Sequence, residues 1–144
     1  NTTQQQQQQQ QEHDATFLQF HTITSYNPSQ ILRYYNDPDI EPLWYHQDDI
    51  HSENNIPNCQ YCSGKCCIEL QLTVQLLYYL NIDPMKKDGL DFGTIIIYTC
   101  ENSCGNGHEQ YFQEIVYVQK AKDIKSNPGY YNQMQQQQQV EQNE

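Results

Sequence analysis

The sequence predicts an α+β fold: a small antiparallel β-sheet with flanking helices. Three observations predict it. Helix-start signals fall in the first half, short β-branched runs fall in the second half, and no apolar run is longer than a few residues. Helices and strands gathered in separate parts of a chain fold as segregated layers rather than as βαβ units. At 144 residues there is room for one domain. The short apolar runs also exclude a membrane-spanning helix, which needs about 20 consecutive apolar residues.

The ends come first. Gln4–Gln11 is an unbroken glutamine run and Gln135–Gln139 is a second. Such tracts bury too little apolar surface to offset the entropy of ordering them. Residues 1–13 and 126–144 are therefore read as disordered Gln-rich tails, and residues 14–125 as the folding unit. The chain begins with Asn1 and shows no cationic stretch followed by an apolar one, so it is read as a fragment without a secretory signal.

Asp14 can cap a first helix whose Phe17, Phe20 and His21 form a stripe at i, i+3 and i+4. A second helix is predicted from Asn27 as cap, Pro28 in the first turn and Gln30 three residues after the cap, with Ile31, Leu32, Tyr34 and Tyr35 as its apolar face. Asn36-Asp37-Pro38-Asp39 ends it. Asp37–Asn58 then reads as an irregular connection pinned by Leu43 and Trp44. Cys67–Leu72 alternates, with Ile68, Leu70 and Leu72 expected on the buried face and Glu69 and Gln71 on the other. Val74–Leu80 has helical spacing, Phe92–Cys100 is β-branched and apolar on both sides as a central strand is, and Tyr111–Gln119 supplies a third strand.

Charge narrows the function classes. Seven Lys and Arg stand against eighteen Asp and Glu, a formal charge of −11. Duplex binding rests on cations that release counterions from phosphate, so direct nucleic-acid binding is not expected. Anionic membrane surfaces are excluded on the same ground.

Six cysteines carry the strongest chemical signal: Cys59, Cys62, Cys66, Cys67, Cys100 and Cys104. Cys59 and Cys62 have the two-residue gap of a metal knuckle, and Cys100 and Cys104 a three-residue gap. Each pair lies beside a predicted strand end. If those strands pair antiparallel, both pairs meet at one rim of the sheet. Four thiolates there would close a tetrahedral zinc-ribbon-like structural site. The ligand set expected is Cys59, Cys62, Cys100 and Cys104, with Cys66 and Cys67 as weaker candidates. Two rival readings are unmetallated buried thiols and disulfides, including a redox pair at Cys59 and Cys62. His108 stands four residues past Cys104 and is read as a turn histidine. No phosphate loop, nucleophile elbow or helical His-Glu-x-x-His is present, and no catalytic constellation is found.

Several stretches, taken in order, resemble the C-terminal domain of the programmed cell death protein 2 family. They are Pro28-Ser29-Gln30-Ile31-Leu32-Arg33-Tyr34, Pro42-Leu43-Trp44, Ile56-Pro57-Asn58-Cys59-Gln60-Tyr61-Cys62, Ile68-Glu69-Leu70-Gln71, Gln75-Leu76-Leu77-Tyr78-Tyr79-Leu80, Asp91-Phe92-Gly93-Thr94, Tyr98-Thr99-Cys100 with Ser103-Cys104, and Glu114-Ile115-Val116-Tyr117-Val118-Gln119. The series covers Phe17–Gln119, and the family's N-terminal part has no counterpart. Thr73-Val74, Tyr78 and Cys66-Cys67 depart from the family pattern.

The resemblance implies a non-enzymatic ribosome-biogenesis factor of the cytosol and nucleus. Such factors are dedicated chaperones for a basic S5-type protein of the small ribosomal subunit. A strongly acidic carrier suits a cationic client. The contact surface expected is the acidic connection, with Trp44, Tyr45, Asp48, Asp49 and Glu53 as its residues. The alternatives are a protein-interaction adaptor in apoptosis or transcription and a thiol oxidoreductase.

Overall fold

The computed structural model describes residues 15–35, 37, 39–52, 55–83, 86, 89–105 and 111–121. The elements are helix α1 (Ala15–Ser25), strands β1 (Leu32–Tyr34) and β2 (Cys66–Thr73), helix α2 (Gln75–Tyr79), and strands β3 (Thr94–Cys100) and β4 (Ile115–Gln119). The four strands form one sheet in the order β1-β2-β3-β4, and every neighbouring pair is antiparallel. The expected Gln-rich tails and the Asp14 cap lie outside the described residues.

Residues 27–35 are not a helix. The Gln30 N–H donates to the Asn27 carbonyl and the Ser29 hydroxyl to the Asn27 side chain, so the capping residues build a turn that comes after α1. The chain then extends, and Leu32, Arg33 and Tyr34 pair with Leu72, Gln71 and Leu70. Only three residues are paired, but their aromatic and branched neighbours suit a pleated edge, and tertiary pairing outweighs a local capping pattern.

The faces of β2 also differ from expectation. A register shift between Ile68 and Leu70 makes Glu69 an extra residue and reverses the alternation. Cys66 and Ile68 are buried before the shift, whereas Gln71 and Thr73 are buried after it. Leu70 and Leu72 turn to the opposite face.

Gln71 is fully buried and fully bonded. Its Oε1 accepts from the Tyr35 hydroxyl at 2.7 Å and the Leu43 N–H at 3.0 Å. Its Nε2 donates to the Leu43 carbonyl at 2.6 Å and to the Thr94 hydroxyl at 2.7 Å. Gln119 does the same from β4: Oε1 accepts from the Tyr45 N–H, and Nε2 donates to the carbonyls of His46 and Asp48, each at 2.9 Å. The His46 ring accepts the Asp48 N–H at Nδ1 and donates from Nε2 to the Lys120 carbonyl. An irregular backbone is thereby satisfied by side chains of the sheet, as buried polar groups require.

Two packed clusters result. One joins Phe20 of α1, Leu43 and Tyr45 of the connection, Val74, Leu77 of α2, and Phe92. The other joins Tyr35, Trp44, Cys59, Cys66, Ile68, Ile96 and Tyr98. Leu43 and Trp44 are buried pins, and Tyr45 is buried more deeply still. Gly93 permits this: a Cβ there would stand 2.7 Å from the Tyr45 ring.

The other face of the sheet carries two cross-strand rows. Leu32, Leu72, Ile95 and Val118 make one, and Tyr34, Leu70, Ile97 and Val116 make the other.

A candidate metal centre

Antiparallel pairing of β2 and β3 sets Cys66 opposite Cys100, so the start of one strand lies beside the end of the other. The loop before β2 brings Cys59 and Cys62 to that rim, and the turn after β3 brings Cys104. The ligand atoms of Cys59, Cys62, Cys100 and Cys104 all lie within 4.8 Å of one another. Among the described residues this is the only group of three or more Cys, His, Asp or Glu close enough to hold a metal ion.

Two turns shape the site. In the first, the Ser63 N–H donates to the Cys59 carbonyl and the Cys59 N–H to the Gly64 carbonyl, both at 2.8 Å, while the Gly64 N–H points at Cys62 Sγ at 3.3 Å. In the second, the Ser103 N–H donates to the Cys100 carbonyl at 2.9 Å. Ser63 (φ 61°) and Ser103 (φ 45°) both take the left-handed backbone, a conformation that costs a non-glycine residue on the order of 1 kcal/mol. A bond from the Glu101 N–H to the Lys65 carbonyl, 3.0 Å, ties one turn to the other. The Asn102 amide approaches Cys62 Sγ at 3.9 Å. Cysteine spacing does not reveal these donors to sulfur; the Ser within each turn is their one trace in the sequence.

Cys59 Sγ lies 3.4 Å from Cys104 Sγ, and Cys62 Sγ lies 3.5 Å from Cys100 Sγ. These gaps exceed the roughly 2.05 Å of a disulfide, and all six cysteines are free. They approach the edge of about 3.8 Å of a tetrahedron with sulfur about 2.3 Å from its centre. The electrostatics agree with a cation. The Cys104 N–H, aided by the Cys62 thiol and the Asn102 N–H, brings the Cys100 thiol down to about 7. Hydrogen bonding to Cys59, then to Cys62, and burial push Cys104 up. Four sulfurs this close repel one another too strongly as thiolates to ionise together without a positive ion. The donor set is four thiols, of which one ionises readily, in turns that point N–H groups at sulfur. It fits a soft divalent metal.

Cys66 and Cys67 stand outside the four. Burial, then the nearby Cys59 and Cys100, push the Cys66 thiol up to about 11, so it stays a neutral core side chain. Burial, then the Glu101 charge, also raise Cys67. Of the expected contact residues, Trp44 packs edge-on against Tyr117 and Tyr45 against Phe17 and Phe20. Asp48 and Asp49 are exposed, and the Tyr117 hydroxyl donates to the Asp49 carbonyl. Glu53 and His108 lie outside the described residues. No described helix is long and apolar enough to cross a membrane.

Comparison with known proteins supplies the relation. The family model of the programmed cell death protein 2 C-terminal domain matches residues 14–120. Programmed cell death protein 2 of Bos taurus is 38% identical over 112 residues, 78% of this chain and 31% of the relative. The Mus musculus protein is 34% identical over the same shares, and the programmed cell death protein 2-like protein of Gallus gallus 35% identical over 78% of this chain and 29% of its own length. The chain thus spans about a third of the length of these relatives. No solved structure matches. A family match over both cysteine turns and all four strands, with relatives at this identity, means that the chain belongs to the programmed cell death protein 2 family, to whose C-terminal domain it corresponds.

Proposed function

We propose that this domain is a zinc-clamped, acidic holder that shelters a basic S5-type ribosomal protein before its assembly into the small subunit. Membership of the family is the observation that carries the reading. The charge of −11 supports it. An acidic surface raises the encounter rate with a cationic client and masks cations that would otherwise seize RNA. Such a factor works in the cytosol and nucleus and needs no catalytic group.

Zinc is the metal that four thiolates select in a closed tetrahedral site. Cys59, Cys62, Cys100 and Cys104 would hold it. It would join the loop before β2 to the turn after β3, so its binding energy adds to folding. A thiol oxidoreductase is less well supported. Cys62 is succeeded by a turn and not by a helix whose N-terminus would activate a thiol, and two further sulfurs crowd the pair.

Affinity purification from a cell extract at physiological salt, with elemental analysis of the product, tests both halves. The expected result is one S5-type ribosomal protein in near-stoichiometric amount and about one zinc per chain. An adaptor would instead retain an apoptotic or transcriptional partner, and no ribosomal protein. Metal-free protein with full stability would overturn the clamp.

A further inference from the structure

One face of the sheet is covered by the connection, through Leu43, Trp44 and Tyr45; the two cross-strand rows lie on the other. Their outer members are open to solvent: Tyr34 is 68%, Val116 59% and Val118 48% exposed. Their inner members, Leu70, Leu72, Ile95 and Ile97, are half-buried by one another and by the neighbouring strands. Only Ile95, at one end, also touches a core cluster. The face is four strands wide, about 14 Å, and two rows deep, about 7 Å. A face of this extent is smaller than the apolar patches of a few hundred Å² that ordinary monomers expose, so it suits one short segment rather than a whole subunit.

Its border is acidic at the end nearer the cysteines, and the exposed Lys120 follows β4 at the other. The Tyr34 hydroxyl donates to the Glu69 carboxylate at 3.1 Å. Partial burial, then the charge of Glu69, raise the Glu114 carboxyl just before β4, so these two acids feel each other. Glu101 acts on Cys67, whose position opposite Thr99 places it on the same face, and Lys65 is the cation that acts on it in the opposite sense. A second copy of the chain would set these acids against their own counterparts, and two molecules each of charge −11 repel. A cationic segment would instead relieve the Glu69–Glu114 repulsion.

We propose that this open face receives a basic amphipathic segment of the client, its apolar stripe laid on the two rows and its Lys and Arg set against Glu69, Glu101 and Glu114. The inference rests on the holder reading above and names its contact surface. Asp48 and Asp49 belong to the connection on the opposite face, so they attract the client without touching it.

The test uses the zinc-loaded chain and two probes: a recombinant S5-type ribosomal protein, and an 18-residue Leu/Lys peptide that folds as an amphipathic helix. V116E/V118E adds acid and removes apolar contact, so weaker binding of a basic probe cannot come from charge. Both probes should bind about tenfold more weakly or worse, through faster dissociation. Y34A, at the opposite edge, should weaken both probes several-fold, and it decides the matter if V116E/V118E does not fold. D48N/D49N should slow association and leave dissociation unchanged. If the ribosomal protein binds wild type and both face variants alike, this surface assignment is overturned and the holder reading stands. If the peptide shows the face dependence and the ribosomal protein does not bind at all, the surface stands and the client is a different basic protein. A concentration-dependent dimer abolished by V116E/V118E would overturn the inference in favour of self-association.

Discussion

At the scale of residues, two glutamines and a glycine hold the molecule together. Gln71 makes four buried hydrogen bonds. Gln71→Leu keeps the volume but strands the Leu43 N–H and carbonyl and leaves the Tyr35 hydroxyl only the bond it accepts from Arg33. Each unsatisfied group costs about 1–3 kcal/mol, so a loss of about 3 kcal/mol or more is expected in denaturant titration. Gly93→Ala would drive a methyl into the Tyr45 ring, which is 1% exposed and has nowhere to move. Its cost should be about 1–3 kcal/mol, read as a drop in melting temperature of at least about 4 °C. The cysteines separate by environment. With the metal bound, Cys59, Cys62, Cys100 and Cys104 should resist alkylation, and a chelator should expose them. Cys66 should resist in both states while the fold survives. Its raised pKa leaves only about one molecule in a thousand as thiolate at pH 8, and the reactive fraction grows only as pH rises toward about 11.

At the scale of elements, the sequence is legible where pattern and environment agree. The stripe of Phe17 and Phe20 lies in α1, Val74–Leu80 holds α2, and Phe92–Cys100 holds an internal strand. It misleads where one extra residue changes the phase. The irregularity at Glu69 moves Leu70 and Leu72 from the core to the open face, and no alternation rule sees that coming. Asn27-Pro28-Ser29-Gln30 is a sound capping signal that forms a turn, because Leu32–Tyr34 just after it finds a partner strand 36 to 40 residues away. The connection shows the same limit. Its pins at Leu43 and Trp44 are legible as apolar residues in an acidic stretch, but the glutamines that hold them are not, since a polar residue between apolar ones reads as solvent-facing. Gln119→Ala should therefore loosen the connection while leaving β3 paired. Amide exchange at Tyr45 should quicken by about tenfold or more, whereas exchange at Ile96 stays slow.

At the scale of the whole molecule, the rim of sulfurs is readable from spacing plus strand pairing, because antiparallel neighbours bring one strand's end to the next one's start. The polar donors around it are not, as they come from backbone turns. Cys59→Ser leaves three thiols, which would hold a metal ion poorly. The melting temperature should fall by about 10 °C or more, as it should when a chelator is added to wild type. An unchanged value would remove metal from the folding free energy. The net charge acts over the full surface: if the proposed basic client binds, D48N/D49N should flatten the salt dependence of its association, measured as rate against ionic strength.

The bond from Tyr45 to Gln119 joins residues 74 positions apart. The connection that covers the sheet leaves the ribosome early, yet its latch arrives only with β4. A nascent chain halted short of that strand would carry bare apolar surface under an unfastened cover, so the domain cannot close in step with its own synthesis and must wait for β4 to emerge.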